Sequence, residues 1–249
     1  PASSKPTLKP PTPAKSSTTR MTPYRTSGLF KITIDRRTVA MDSDRPNFSR
    51  DSMREIAVAE ALDELLYATH FGETERIDDR EMQLSGVDVL CRHPETSEAI
   101  KIDEKAATSW ASREISTFAF ELSFLLGDKE VEGWFLQRER RSETTHWLCV
   151  WPRTEGGNIS DANDIVRLEA MLIHCKSVRR WARRMASKTE RGLEDCMRLL
   201  RNNDSINEIN WAGLRILISR SLPEQPINLL IPKDILRALS GEMNWQLSR

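Results

Sequence analysis

Two short segments hold the residues whose types and spacing could do chemistry: Gly86-Val87-Asp88-Val89-Leu90, and Ile100-Lys101-Ile102-Asp103-Glu104-Lys105. They read as two strands joined by the polar turn His93-Pro94-Glu95-Thr96-Ser97. Side chains alternate across a strand, so Asp103 and Lys105 share a face with Lys101, while Ile100, Ile102 and Glu104 take the other. Two carboxylates on neighbouring strands beside a lysine are the groups that a hard divalent cation and a metal-activated water require. Mg²⁺ takes oxygen ligands and keeps several waters, so two or three carboxylates suffice.

The elements that must position these groups are legible to different degrees. Residues 51–68 are the clearest helix, capped by Ser49 or Asp51, with Ile56, Ala59, Leu62, Leu65 and Leu66 as an apolar stripe. Glu55 begins that stripe, and a carboxylate on an apolar face needs a partner. Glu60, Asp63 and Glu64 lie toward the polar side. Strands are expected at about 82–91, 98–105 and 118–124, where large apolar residues take the even positions. Residues 131–137 and 145–151 read as a strand pair that Pro152 ends. Residues 28–42 suggest one or two strands. Residues 163–201 are expected to be helical, 214–219 and 227–231 to be short strands, and a last helix runs from 232–234 to Leu239.

The expected architecture is α/β: a mixed central β-sheet flanked by helices over 21–152, then a mainly helical C-terminal region over 153–249 with a short strand pair. Residues 1–20 are rich in Pro, Ser, Thr, Lys and Ala, have one Leu and no acid, and are expected to be a disordered tail or linker. Met21 is a candidate start of the natural chain.

The order of helix, strand with Asp88, strand with Asp103-x-Lys105 and a further strand resembles the PD-(D/E)xK nuclease superfamily, the restriction-endonuclease-like fold, over roughly residues 51–151. Val87 stands where that family has a proline. The resemblance implies a Mg²⁺-dependent phosphodiesterase, with Mn²⁺ as a substitute, acting on nucleic acid, DNA before RNA. It implies Asp88 and Asp103 as metal ligands and Lys105 as the group that orients the water and stabilises the developing charge. It also implies Glu55 as a third ligand (Glu60 is the alternate), the backbone carbonyl of Glu104 in the metal shell, and a homodimer as one form of such enzymes. The rival expectation is a catalytically inactive nuclease-like scaffold that binds nucleic acid or a partner protein, phage- or defence-associated.

Composition restricts the other classes. The 249 residues are 39% hydrophobic and 30% charged, with a formal net charge of zero, so any attraction for nucleic acid must come from local clustering. One cluster is Lys176, Arg180, Arg183 and Arg184 on one helical side; Arg138 and Arg140 form another in an expected turn. Cys91, Cys149, Cys175 and Cys196 are scattered and read as reduced, buried thiols. Cys91-x-His93, His146-x-x-Cys149 and His174-Cys175 lack zinc-site spacing. The seven tryptophans are expected to be core or interface anchors, Trp110 among them, with base contact the lesser reading there. No apolar run reaches membrane-spanning length and no apolar leader segment is present, so a cytoplasmic, membrane-free protein is expected.

Overall fold

Among the described residues, eleven strands lie in two sheets, and their apolar residues explain the layering. The computed structural model describes residues 48–93, 95–137 and 143–249, all within one compact unit, Arg45–Arg249. The expected strands at 28–42 lie outside the described residues. In chain order, α1 (Phe48–Leu62) continues through a π-helical turn (Asp63–Tyr67) into α2 (Ala68–His70). Then come β1 (Thr74–Arg76), α3 (Arg80–Leu84), β2 (Val89–Arg92), β3 (Ala99–Ala106), β4 (Thr117–Leu126), β5 (Lys129–Glu132), β6 (His146–Thr154) and β7 (Ile165–His174). The chain ends with α4 (Cys175–Ala186), α5 (Leu193–Asn202), β8 (Glu208–Trp211), β9 (Leu214–Ile218), β10 (Ile227–Pro232), α6 (Lys233–Ser240) and β11 (Asn244–Ser248).

The first sheet runs β1-β2-β3-β6-β7-β11 and is mixed: β3 and β6 are parallel, all other neighbours antiparallel. The second, β5-β4-β10-β9-β8, is antiparallel throughout. Alternation on β6 separates the cores. Leu148 and Val150 join Ile102, Leu168 and Leu172 against α1, packing on Ala57, Val58, Ala61 and Leu62. Trp147, Cys149 and Trp151 face the other way, onto Phe118, Phe120 and Leu122 of the second sheet and Val178 of α4. Each buried side chain of this size contributes about 1.5–3 kcal/mol by leaving water.

Several elements differ from expectation. Residues 80–84 are a helix, capped by the Asp79 carboxylate on Met82 N–H and ended at Gly86, whose φ of 81° suits a residue without Cβ. The segment 131–137 is not a strand partner of 145–151: β5 is a short hairpin return on β4 through Gly127-Asp128, and Trp134 to Leu136 form a turn. Pro152 lies inside β6 rather than ending it. The largest correction concerns 153–249, which is not mainly helical. Residues 165–174, expected to be helical, are the interior strand β7, and β8 and β11 are further strands that the sequence pattern did not suggest. Leu168 to Ile173 are all buried, so β7 has no alternation to reveal it. The C-terminal strands β7 and β11 complete the first sheet, while β8, β9 and β10 build most of the second.

Candidate active site

Gly86 releases the chain from α3, and Val87 then anchors it in the core, leaving Asp88 at the mouth of β2. Asp88 N–H donates to the Ile102 carbonyl at 2.8 Å, and the Asp88 Oδ2 accepts the Glu104 N–H at 2.8 Å. The β2–β3 register pairs Val89 with Ile102, which brings Asp88 beside Asp103 across the ladder. Asp103 is 1% exposed. The Lys105 ammonium pairs with the Asp103 Oδ1 and donates to the Glu104 carbonyl at 3.3 Å. Burial first, and then the charge of Asp103, push the Asp88 carboxyl up to about 6, against the pull of Lys105.

Glu104 takes the opposite face, as alternation requires. Its carboxylate accepts the Tyr67 hydroxyl at 2.8 Å and both terminal nitrogens of Arg76 at 3.0 and 3.2 Å. Arg76 also donates to Asp63 at 2.7 Å and to the Ala59 carbonyl at 2.8 Å. Burial opposes the charge on Arg76, but Glu104 and Asp63 override it and hold the guanidinium above its ordinary value. Burial and then Glu104 push the Tyr67 phenol up in turn.

One cleft of about 560 Å³ gathers Glu55, Arg76, Asp78, Asp88, Glu104 and Lys105. Of the expected site residues, Glu55, Asp88 and Lys105 therefore share a cleft, and Asp103 lies buried beneath Lys105. Glu60 does not line it. The stripe on α1 is displaced by about one residue: Ala57, Val58, Ala61 and Leu62 face the core, whereas Ile56 lines the cleft and is 45% exposed. The sequence reading missed the Glu104 side chain, Arg76 and Tyr67. Alternation placed Glu104 on the face opposite Asp103, but no local signal paired it with residues 28 and 37 positions away.

The donor set suits a hard cation in kind: the charge of Asp103 reaches the Asp88 carboxyl, and the Lys105 ammonium bridges Asp103 and the Glu104 carbonyl. Among the described residues, no three His, Cys, Asp or Glu side chains are gathered as a preformed metal cage. Such an ion would keep several waters, the ordinary state of protein-bound Mg²⁺.

Lys176, Arg180, Arg183 and Arg184 are exposed on α4, and none lines this cleft. Arg138 and Arg140 lie outside the described residues. All four cysteines are free and buried. Trp110 departs from the expected core role: it is 44% exposed, with the Arg113 guanidinium 4.2 Å from its ring centroid. No described helix is long and apolar enough to cross a membrane. No family model, no curated protein and no solved structure matches this chain.

Proposed function

We propose that this protein hydrolyses phosphodiester bonds in nucleic acid, DNA in the first instance, with Mg²⁺ or Mn²⁺ bound at Asp88 and Asp103. The observation that carries this reading is the meeting of Asp88, Asp103 and Lys105 at the β2–β3 ladder, beside a cleft that Glu55 of α1 also lines. Asp88, Asp103 and the Glu104 carbonyl would hold the ion, with Glu55 as the further oxygen ligand. When bound, the ion supplies positive charge to the attacking and leaving oxygens and acidifies a water. Lys105 orients that water and meets the charge that develops on the phosphate oxygens. The water oxygen bonds to phosphorus and the P–O ester bond breaks. The leaving oxygen takes a proton, giving one phosphate monoester end and one hydroxyl end.

The test is cleavage of single- and double-stranded DNA and RNA with Mg²⁺ or Mn²⁺. Asp88→Asn and Lys105→Ala should each lower the rate by about a hundredfold or more, and EDTA should abolish it. Circular dichroism of each variant should match the wild type. Unchanged cleavage by Lys105→Ala would sink the assignment.

A second reading, a scaffold that binds nucleic acid without turnover, draws support from the pairing of Asp103 with Lys105 and of Glu104 with Arg76. It predicts binding that is indifferent to EDTA and no metal-dependent product.

A further inference from the structure

A second concavity opens on the other side of Lys105, with a volume of about 590 Å³. Its floor is the outward face of the second sheet. On β4, β9 and β10 the buried residues alternate with Ala119, Arg215, Leu217, Asn228 and Leu230, which face the groove. The register sets Ala119, Leu230 and Arg215 in one cross-strand row. Its wall is the segment from Lys105 to Arg113, made narrow by Ala106, Ala107, Thr108 and Ser109. Trp134 lines it close to Lys105, whose ammonium is 5.6 Å from the Trp134 ring centroid.

The charges in the two concavities are unlike. Among the residues lining this groove are three cations, Lys105, Arg113 and Arg215, and no carboxylate. The cleft across Lys105 carries Glu55, Asp78, Asp88 and Glu104 against Arg76 and Lys105. Arg215 is paired with Glu208, at 2.6 and 2.8 Å, and Lys105 with the buried Asp103, so Arg113 carries most of the groove's uncompensated positive field. Glu121 lies two residues beyond Ala119 on the same strand face, outside the lining. The two concavities share Lys105, Ala106 and Thr108.

We infer that this groove binds a single strand of nucleic acid, with a base on Trp110 and the backbone phosphates on Arg113 and Lys105, and so presents a phosphodiester to the Asp88 site. The inference rests on the hydrolytic reading for the purpose of the groove, though not for its occupancy. An exposed tryptophan beside an arginine offers a π-face and a cation to a base and its phosphate. A groove lined mostly by neutral side chains, whose charged lining residues are all cations, suits an unpaired strand. A duplex would bury its bases and leave the ring without a partner. Small residues along the wall admit the backbone closely.

The test uses the whole chain in EDTA, which stops turnover, with fluorescein-labelled oligothymidylate, oligouridylate and a DNA duplex of equal length as probes. Fluorescence anisotropy should show the single strands bound more tightly than the duplex. Trp110→Ala should weaken single-strand binding by about fivefold or more, and Trp110→Phe should restore most of it. Arg113→Ala should lower the salt slope by about one, whereas Arg113→Lys should not. Asp88→Asn should bind no more weakly than the wild type. Because Trp110 and Arg113 are exposed, these variants should keep the wild-type circular dichroism spectrum. Metal-dependent cleavage with unchanged affinity in Trp110→Ala would overturn the groove and leave the hydrolytic site standing. Trp110-dependent binding without any metal-dependent product would uphold the groove and overturn the hydrolysis. Preference for the duplex, or no binding to any probe, would overturn the groove.

Discussion

Asp88 costs the fold stability at neutral pH. Its carboxyl sits at about 6 in the fold, above its ordinary 3.8, because burial disfavours the charged form. The folded protein therefore holds this proton more tightly than the unfolded chain does. Stability falls as pH rises from about 4 to about 6, and the penalty is complete above that range. Asp88→Asn keeps an acceptor for the Glu104 N–H and removes the charge. Without metal, the variant should be more stable than the wild type at pH 7 by about 1–3 kcal/mol, and the gap should close below about pH 4. Urea midpoints across that range would show it; a variant less stable at pH 7 would contradict the burial argument. A bound cation would reverse the sense, since it stabilises the same charge.

The π-helical turn between α1 and α2 decides what faces Glu104. Five residues of α-helix would carry Tyr67 about 140° round from Leu62, away from the core stripe. The wider turn at Asp63–Tyr67 brings Tyr67 inward, where its hydroxyl reaches Glu104. Arg76 on the edge strand β1 then bridges Glu104 to Asp63 and to the Ala59 carbonyl, tying α1 to the sheet beneath Glu55. Tyr67→Phe removes one hydrogen bond and should cost about 1 kcal/mol. Arg76→Leu leaves Glu104 without its counter-charge and should cost about 2–4 kcal/mol. Guanidinium chloride midpoints would check both; equal costs would mean that the ion pair does not hold the helix.

At the scale of the molecule, the two sheets are clamped by a charge cluster centred on the buried Glu169. Glu169 of β7 is paired with Lys233 and, at 3.0 Å, with Arg237, both on α6, directly after β10 of the second sheet. Lys233 also lies 4.5 Å from the Trp151 ring centroid. Glu169→Ala strands a mostly buried lysine and should cost about 2–4 kcal/mol. The same variant should move the sheets' common aromatic cluster, so near-ultraviolet circular dichroism of the tryptophans is the second readout. An unchanged spectrum and midpoint would show that apolar packing alone holds the sheets together. That clamp fixes the acidic cleft, which belongs to the first sheet and α1, against the groove's floor, which belongs to the second sheet.

The local pattern was enough to set Asp103 and Lys105 on one face of a strand and Glu104 on the other. Alternation over 100–105 and 118–124, and the helical periodicity after Ser49, are short-range properties, and the strands and helix follow them. The pairing of Asp103 with Lys105 and the separate direction of Glu104 follow from the same period of two. Tertiary structure decided β7, β11 and the partners of Glu104. A strand buried on both faces carries no alternation, so Ile165–His174 reads as helix-compatible until β6 and β11 flank it. It also decided that Trp110 stays exposed and that the two concavities meet at Lys105. Those outcomes depend on contacts between residues far apart in the chain, and local periodicity does not encode which distant surfaces will meet.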